Sequence, residues 1–218
     1  MRIPCVHTRF LQLKNRGDQI DLALGAVLAI VLHHACITRL RPMIGCVSPR
    51  IPPTIETSRL LLRAWTRHDL KAHAEMSADP VAMRYIGDGK VLDPGQSWRE
   101  IAMHIGHWVL RGYGQWALER REDGAWLGQA GFWNPPGWPG LEIGWKLARH
   151  AWGDGYATEA GQAAIEWAWS TLDTPELISV IQPGNAASIR VAERLGMRRL
   201  RESTVKGQDV VIFGIDRP

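Results

Sequence analysis

The stretch Trp152-Gly153-Asp154-Gly155-Tyr156-Ala157-Thr158-Glu159-Ala160 is the part of this chain best suited to chemistry. Its two glycines lie between an apolar run, Leu141 to Leu147, that reads as a strand, and Tyr156 to Leu172, which reads as a helix. Glycine has no Cβ, so the backbone can turn tightly there and direct its N–H groups outward. Those donors join the positive end of the helix dipole in a cradle suited to phosphate oxygens. Two glycines that merely shape a tight turn would look the same, so the motif needs support from its surroundings.

Other chemistry-bearing residue types offer less. His104 and His107 are spaced three apart, which fits packing or surface positions better than a metal pair, and no metal site is expected. Cys5, Cys36 and Cys46 match no common metal spacing, and an odd number cannot pair fully within the chain. No cysteine follows residue 46, so the rest of the chain has no thiol nucleophile and no disulfide framework. That usage fits a reducing cytoplasm. Eleven tryptophans are many for 218 residues, and core packing is the first expectation for any one of them.

The elements that must position the glycine turn follow from periodicity. Arg59 to Trp65 reads as a strand and Asp69 to Ala78 as a short helix ending before Asp79-Pro80. Asp93-Pro94 opens a longer helix with Trp98, Ile101, Ile105, Trp108 and Val109 at helical spacing. Gln115 to Arg120 and Trp126 to Trp133 read as an antiparallel pair joined at Glu122-Asp123-Gly124. A proline- and glycine-rich loop, Asn134 to Gly140, leads to the strand Leu141 to Leu147. After the helix come a strand at Glu176 to Gln182, a helix at Asn185 to Leu195 with Asn185 as cap and Gly196 as stop, and strands at Met197 to Thr204 and Asp209 to Ile215. This is a mixed α/β chain with one strand–helix–strand crossover, Leu141 to Gln182, which makes those two strands parallel. Ligands of open α/β sheets bind beyond the carboxyl ends of strands, where the glycine turn sits.

Charge separates the first fifty residues from the rest. The chain's net charge is +4, from 26 Lys or Arg and 22 Asp or Glu. Residues 1–50 hold seven of the basic and two of the acidic residues, which leaves 19 and 20 for residues 51–218. The patterned region therefore lacks the basic excess that drives binding to a phosphate backbone, and nucleic acid is not an expected partner. Leu22 to Leu32 is an apolar stretch behind Arg2, Arg9, Lys14 and Arg16, as in a signal peptide, but Asp18 and Asp21 stand at its entrance and no small-x-small cleavage site follows. It falls short of the about 20 apolar residues of a spanning helix. Residues 1–53 are read as an extension and linker outside a domain at 54–218, or as upstream sequence before a later start at Met43. Membrane contact through residues 20–37 is the third reading.

Three segments together resemble the GNAT superfamily of acyl-CoA-dependent N-acyltransferases, in particular its branch of Rim-type ribosomal-protein N-terminal acetyltransferases. They are Thr57-Ser58-Arg59-Leu60-Leu61-Leu62-Arg63; Leu141-Glu142-Ile143-Gly144-Trp145 with the glycine turn; and Asn185-Ala186-Ala187-Ser188-Ile189-Arg190 running to Leu195-Gly196-Met197. The resemblance covers about residues 56–217. It implies a three-layer α/β fold, with a mostly antiparallel twisted sheet splayed at its centre and helices on both faces. It also implies acetyl-CoA lying in the splay, its pantetheine arm against backbone groups of Ile143, Gly144 and Trp145. Trp152 and the amides of Gly153, Asp154, Gly155, Tyr156, Ala157 and Thr158 would hold the pyrophosphate, with Asn185 and Ser188 as further contacts. Trp152 stands where the superfamily's pattern has Arg or Gln, a departure that leaves the amide cradle intact.

Acetyl transfer to an amine requires a group that removes the ammonium proton. Strand alternation puts Glu142, Gly144 and Lys146 on one face and Leu141, Ile143, Trp145 and Leu147 on the other, so Glu142 is the candidate base; an ion pair with Lys146 or a neighbour would be its structural role. The resemblance puts the oxyanion donor at a backbone N–H near Ile143. Ala192 occupies the position of the tyrosine acid found in many members, and Ser188 is the candidate donor to the sulfur. Asn185 could serve as a helix cap alone. Trp98, Trp108, Trp133 and Trp138 are candidates for an aromatic wall around the acceptor. The expected activity is transfer of an acetyl group from acetyl-CoA to a protein N-terminus or small amine, by direct attack through a tetrahedral intermediate. Transfer of a longer acyl group such as succinyl, and a non-catalytic acyl-CoA sensor or scaffold, are the alternatives, and a homodimer is left open.

Overall fold

The computed structural model describes residues 51–218. The expectations for residues 1–50, including the apolar stretch at 22–32 and the three cysteines, lie outside the described residues. Eight strands form one sheet in the order β1-β2-β3-β4-β5-β6-β8-β7. They are β1 (Ile55–Glu56), β2 (Leu60–Arg63), β3 (Gln115–Arg120), β4 (Trp126–Trp133), β5 (Glu142–Leu147), β6 (Glu176–Ile181), β7 (Arg198–Val205) and β8 (Gln208–Asp216). Every neighbouring pair is antiparallel except β5 and β6, which are parallel as the crossover requires. The helices are α1 (Asp69–Ser77), α2 (Pro80–Met83), α3 (Pro94–Arg111), α4 (Tyr156–Thr171) and α5 (Ala186–Arg194).

Period-two alternation gives the sheet two packed faces. Leu60, Leu62, Trp116, Leu118, Phe132 and Ile143 bury themselves against Ala160, Ala164 and Ile165 of α4. On the opposite face Ala117 and Trp126 meet Met76 of α1 and Ile101 of α3. This is the layered arrangement expected, and most element ends agree within a residue or two, which is ordinary fraying. The two-residue edge strand β1 and the single turn α2 were not expected.

One expectation about α3 is corrected. Its start is as predicted: Asp93 accepts from the Gln96 N–H (2.7 Å) while the Gln96 side chain accepts from the Asp93 N–H (2.8 Å). Its buried stripe, however, is Ser97, Ile101, His104 and Trp108, at the spacing of one helix face. Trp98, Ile105 and Val109 lie about a quarter-turn or more away and are exposed. The tryptophans mostly pack the core, as expected. Trp65 and Trp108 both send their indole N–H to the Gln115 carbonyl (2.9 and 3.0 Å), and Trp116 sends its own to Pro53 (2.8 Å). Among the described residues no helix is long and apolar enough to cross a membrane, and no cluster of His, Cys, Asp and Glu could hold a metal ion.

Candidate active site

The sheet opens where β5 leaves β6. The two strands are aligned at the single pair Glu142↔Ile178, with the Ile178 N–H donating to the Leu141 carbonyl (3.0 Å). A regular parallel ladder would next join the Val180 N–H to the Ile143 carbonyl. Instead the Val180 N–H donates to Glu142 Oε1 (3.3 Å) and the Ser179 hydroxyl donates to the Ile143 carbonyl (2.6 Å). Two side chains thus take over the bonds of the missing ladder, and the strands part beyond them. The bridge at Glu142 directs the Ile143 N–H to the Ile178 carbonyl. The next N–H on that edge of β5 belongs to Trp145, so the candidate oxyanion donor moves two residues along from Ile143.

A cavity of about 460 Å³ occupies the opening, with Tyr85, Glu142, Gly144, Trp145, Asn185 and Ser188 in its wall. Both candidate catalytic side chains therefore face the same space. Ile143 does not; it is fully buried in the core under α4. Of the four tryptophans expected around the acceptor, Trp133 and Trp138 line the cavity. Trp108, one turn beyond His104 on the buried face of α3, is core, and Trp98 on the outer side is solvent-exposed.

Glu142 is half-buried. Its Oε2 accepts from the Trp138 indole N–H (2.7 Å), its Oε1 from Val180. Burial pushes its carboxyl up to about 7, against the opposing pull of those two donors. The alternative ion pair with Lys146 does not form. Lys146 is buried and donates to Glu100 Oε1 on α3 at 2.7 Å, because residues four apart on a strand stand about 13 Å from one another. Burial lowers the Lys146 ammonium, and Glu100 partly restores it. Glu100 is held well below the usual carboxylate range: burial opposes this, but His104 and Lys146 outweigh it.

Sequence reasoning missed this polar floor. Gln115 on β3, Gln129 on β4 and Lys146 on β5 all sit on the cavity side of the sheet, facing Glu100 and His104. The His104 ring is buried, which lowers its proton affinity, and its Nε2 lies 3.0 Å from Gln129 Nε2. The one signal in the sequence was polar residues at even spacing on strands whose other face is apolar.

The glycine turn lies past β5, beyond a 3₁₀ turn at Arg149–Ala151, and is not part of the cavity wall. Gly153 and Gly155 have φ of +90° and +82°, values that L side chains rarely adopt. The Glu159 N–H is the first to close a helical bond, to the Gly155 carbonyl (3.0 Å), so the N–H groups of Tyr156, Ala157 and Thr158 are left over by helix geometry. Among the described residues no side chain caps α4, whose N-cap is Gly155, whereas Asn185 caps α5 by accepting from the Ser188 N–H (3.2 Å). Around the turn, Trp152 is half-exposed with its indole N–H on the Leu147 carbonyl (2.8 Å), and Arg59 donates to the Asp154 carbonyl (2.8 Å). Tyr156 is buried in the core with the Arg59 guanidinium 4.6 Å over its ring, and Ala157 is half-buried. Glu159 accepts from Thr57 (2.6 Å), Ser58 (3.0 Å) and Arg59 (2.6 Å), which ties the first strand segment to the turn.

A family model described as "Acetyltransferase (GNAT) domain" matches residues 59–198. The chain belongs to that family and is an acyl-CoA-dependent acetyltransferase. It is 32% identical to an acetyltransferase from Agrobacterium tumefaciens strain C58, whose structure superposes with a TM-score of 0.68 over 75% of this chain and 94% of that one. It is 30% identical over 145 residues to the uncharacterized N-acetyltransferase YnaD of Bacillus subtilis, covering 66% of this chain and 82% of that protein. A 40% identical match to YkkB of the same bacterium is shorter, 91 residues, 40% of this chain and 53% of that protein. The fold is shared with RimL, a ribosomal L7/L12 alpha-N-protein acetyltransferase solved with coenzyme A, at 18% identity and a TM-score of 0.64 over 75% of this chain and 98% of that one.

Proposed function

We propose that this acetyltransferase moves an acetyl group from acetyl-CoA to a primary amine, a protein N-terminus or a small amine, by direct attack through a tetrahedral intermediate. The observation that carries the reading is Glu142: a carboxylate at the fork of β5 and β6, facing the cavity and protonating near 7. A base is most effective when its proton affinity lies near the working pH. Glu142 takes the proton of the incoming ammonium, and the freed lone pair attacks the thioester carbonyl. The Trp145 N–H on the open edge of β5 stabilises the oxyanion. Ser188 donates a hydrogen bond to the departing sulfur, and a thiolate needs no stronger acid.

The residues present fit coenzyme A. Among the described residues a Cβ on Gly153 would meet nothing within 4 Å, so the turn presents open backbone, and Thr158 Oγ1 in the first turn of α4 is buried with no partner among them. Gly153 to Thr158 would hold the pyrophosphate, the edge of β5 at Gly144 and Trp145 the pantetheine amides, and Asn185 and Ser188 the end of the arm. Calorimetry with coenzyme A, followed by thiol release from acetyl-CoA over a panel of peptides and polyamines, tests this. Turnover on at least one amine is the expected result. Tight binding without turnover on any amine would refute the transfer, and no binding by folded protein would refute the cofactor site as well.

A further inference from the structure

We infer that Trp138 is a positioning residue for this reaction: its indole N–H fixes one oxygen of the Glu142 carboxylate and favours the ionised form that accepts the amine's proton. The inference rests on the reading of Glu142 as base. Its geometry is direct. Trp138 Nε1 lies 2.7 Å from Glu142 Oε2, while Val180 on β6 holds Oε1, so the carboxylate is gripped from two elements at once.

The indole is itself held from two sides. The loop at 134–140 carries Pro135, Pro136 and Pro139, whose fixed φ angles limit its freedom. The backbone N–H of Trp138 donates to the Pro135 carbonyl (3.0 Å), and Gly137 at φ +82° permits that tight turn. From the β7–β8 turn, Lys206 places its Nζ 5.3 Å from the centre of the indole ring. A cation over the ring face is attracted to it and braces it. The loop, the β7–β8 turn and β6 thus converge on one carboxyl group.

The other charged or titratable groups around this cavity are Tyr85, Asp88, Glu100, His104, Lys146 and Lys206. Glu100 and Lys146 neutralise one another at 2.7 Å, and Asp88 is paired with Lys90 at 2.8 Å. Burial keeps His104 neutral at pH 7. Burial raises the proton affinity of Glu142, the hydrogen bonds from Trp138 and Val180 are the contacts that oppose it, and of the two only Trp138 supplies a side chain.

The test is a ¹³C NMR titration of the full chain with labelled glutamate carboxyls, in which the resonance absent from Glu142→Gln identifies Glu142. Its midpoint is expected near 7, and about one pH unit higher in Trp138→Phe, the effect of removing one charge-assisted hydrogen bond. Lys206→Met leaves the loop intact and is expected to move the midpoint the same way by less. In thiol-release assays with the panel amines, Trp138→Phe should lose activity on the acid side and regain it at alkaline pH, which a merely structural lesion would not do. An unmoved midpoint in Trp138→Phe, a downward shift in Lys206→Met, or an activity loss equal at all pH values would overturn the inference. If Glu142→Gln instead keeps wild-type turnover and pH profile, the reading of Glu142 as base is what fails.

Discussion

Replacing Glu142 by Gln should separate activity from stability in opposite directions. The amide keeps the shape but offers one acceptor oxygen where the carboxylate has two, so it keeps only one of the bonds from Trp138 and Val180, and it can neither take a proton nor carry charge. General-base removal typically costs about 10²- to 10⁴-fold in rate. In the wild type, kcat/KM should rise through a midpoint near 7, so that activity at pH 6 is about a tenth of that at pH 8. The variant should lack that limb. The stability sign follows from linkage. The carboxyl titrates at 4.5 when unfolded and at about 7 when folded, so the folded state holds its proton more tightly. Below 4.5 both states are protonated and nothing is lost. Between 4.5 and 7 only the unfolded state ionises, and stability declines with pH. Above 7 the full difference is in place, about 3 kcal/mol. The stability of Glu142→Gln relative to wild type should therefore increase by about 2.5 kcal/mol between pH 5 and pH 8, read by urea unfolding at each pH. A difference between the two proteins that stays constant with pH would show that Glu142 is not a buried carboxyl of raised proton affinity, and the case for it as base would lose its support.

Three further outcomes are expected. Glu100→Gln or Lys146→Met alone strands a buried partner and should cost about 3–5 kcal/mol, while the double replacement should cost less than the sum, as thermal or urea unfolding would show. Gly155→Ala forces a Cβ onto a backbone at φ +82°, a strain of about 1–2 kcal/mol; a turn that relaxes to relieve it should weaken coenzyme A binding about tenfold by calorimetry. Asn185→Ala removes the cap on the Ser188 N–H and should lower stability by about 1 kcal/mol; wild-type unfolding would contradict the cap.

What the sequence made legible was what depends on neighbours along the chain. The turn at Gly153 and Gly155, the helix start at Asp93-Pro94, and the Asn185 cap are all local, and a parallel crossover follows from a strand, a helix and a strand in series. Asp79-Pro80 carried the signal for α2 as well, since Asp79 accepts from the Val81 N–H (2.9 Å) and proline suits a first helical position, but the same pair reads equally as the end of α1. The buried face of α3 was misread because apolar residues lie on both of its sides. Which side faces inward is decided by the polar floor it covers, and that floor is assembled from β3, β4 and β5.

The Glu100–Lys146 pair shows why such long-range contacts bear on the chemistry although neither residue need touch the substrate. Lys146 shares the cavity face of β5 with Glu142, about 13 Å away along the strand. An unpaired ammonium at that distance, at an effective dielectric constant of about 20, would favour the Glu142 carboxylate by about 1 kcal/mol and lower its proton affinity by roughly one pH unit. Glu100, 46 residues earlier in the chain, cancels that field at 2.7 Å. The proton affinity of Glu142 then answers to burial, to its two hydrogen-bond donors and to the Lys206 ammonium beside Trp138. Electrostatic isolation of this kind requires a partner from another element, so α3 contributes to the proton affinity of Glu142 as surely as the strand that carries it.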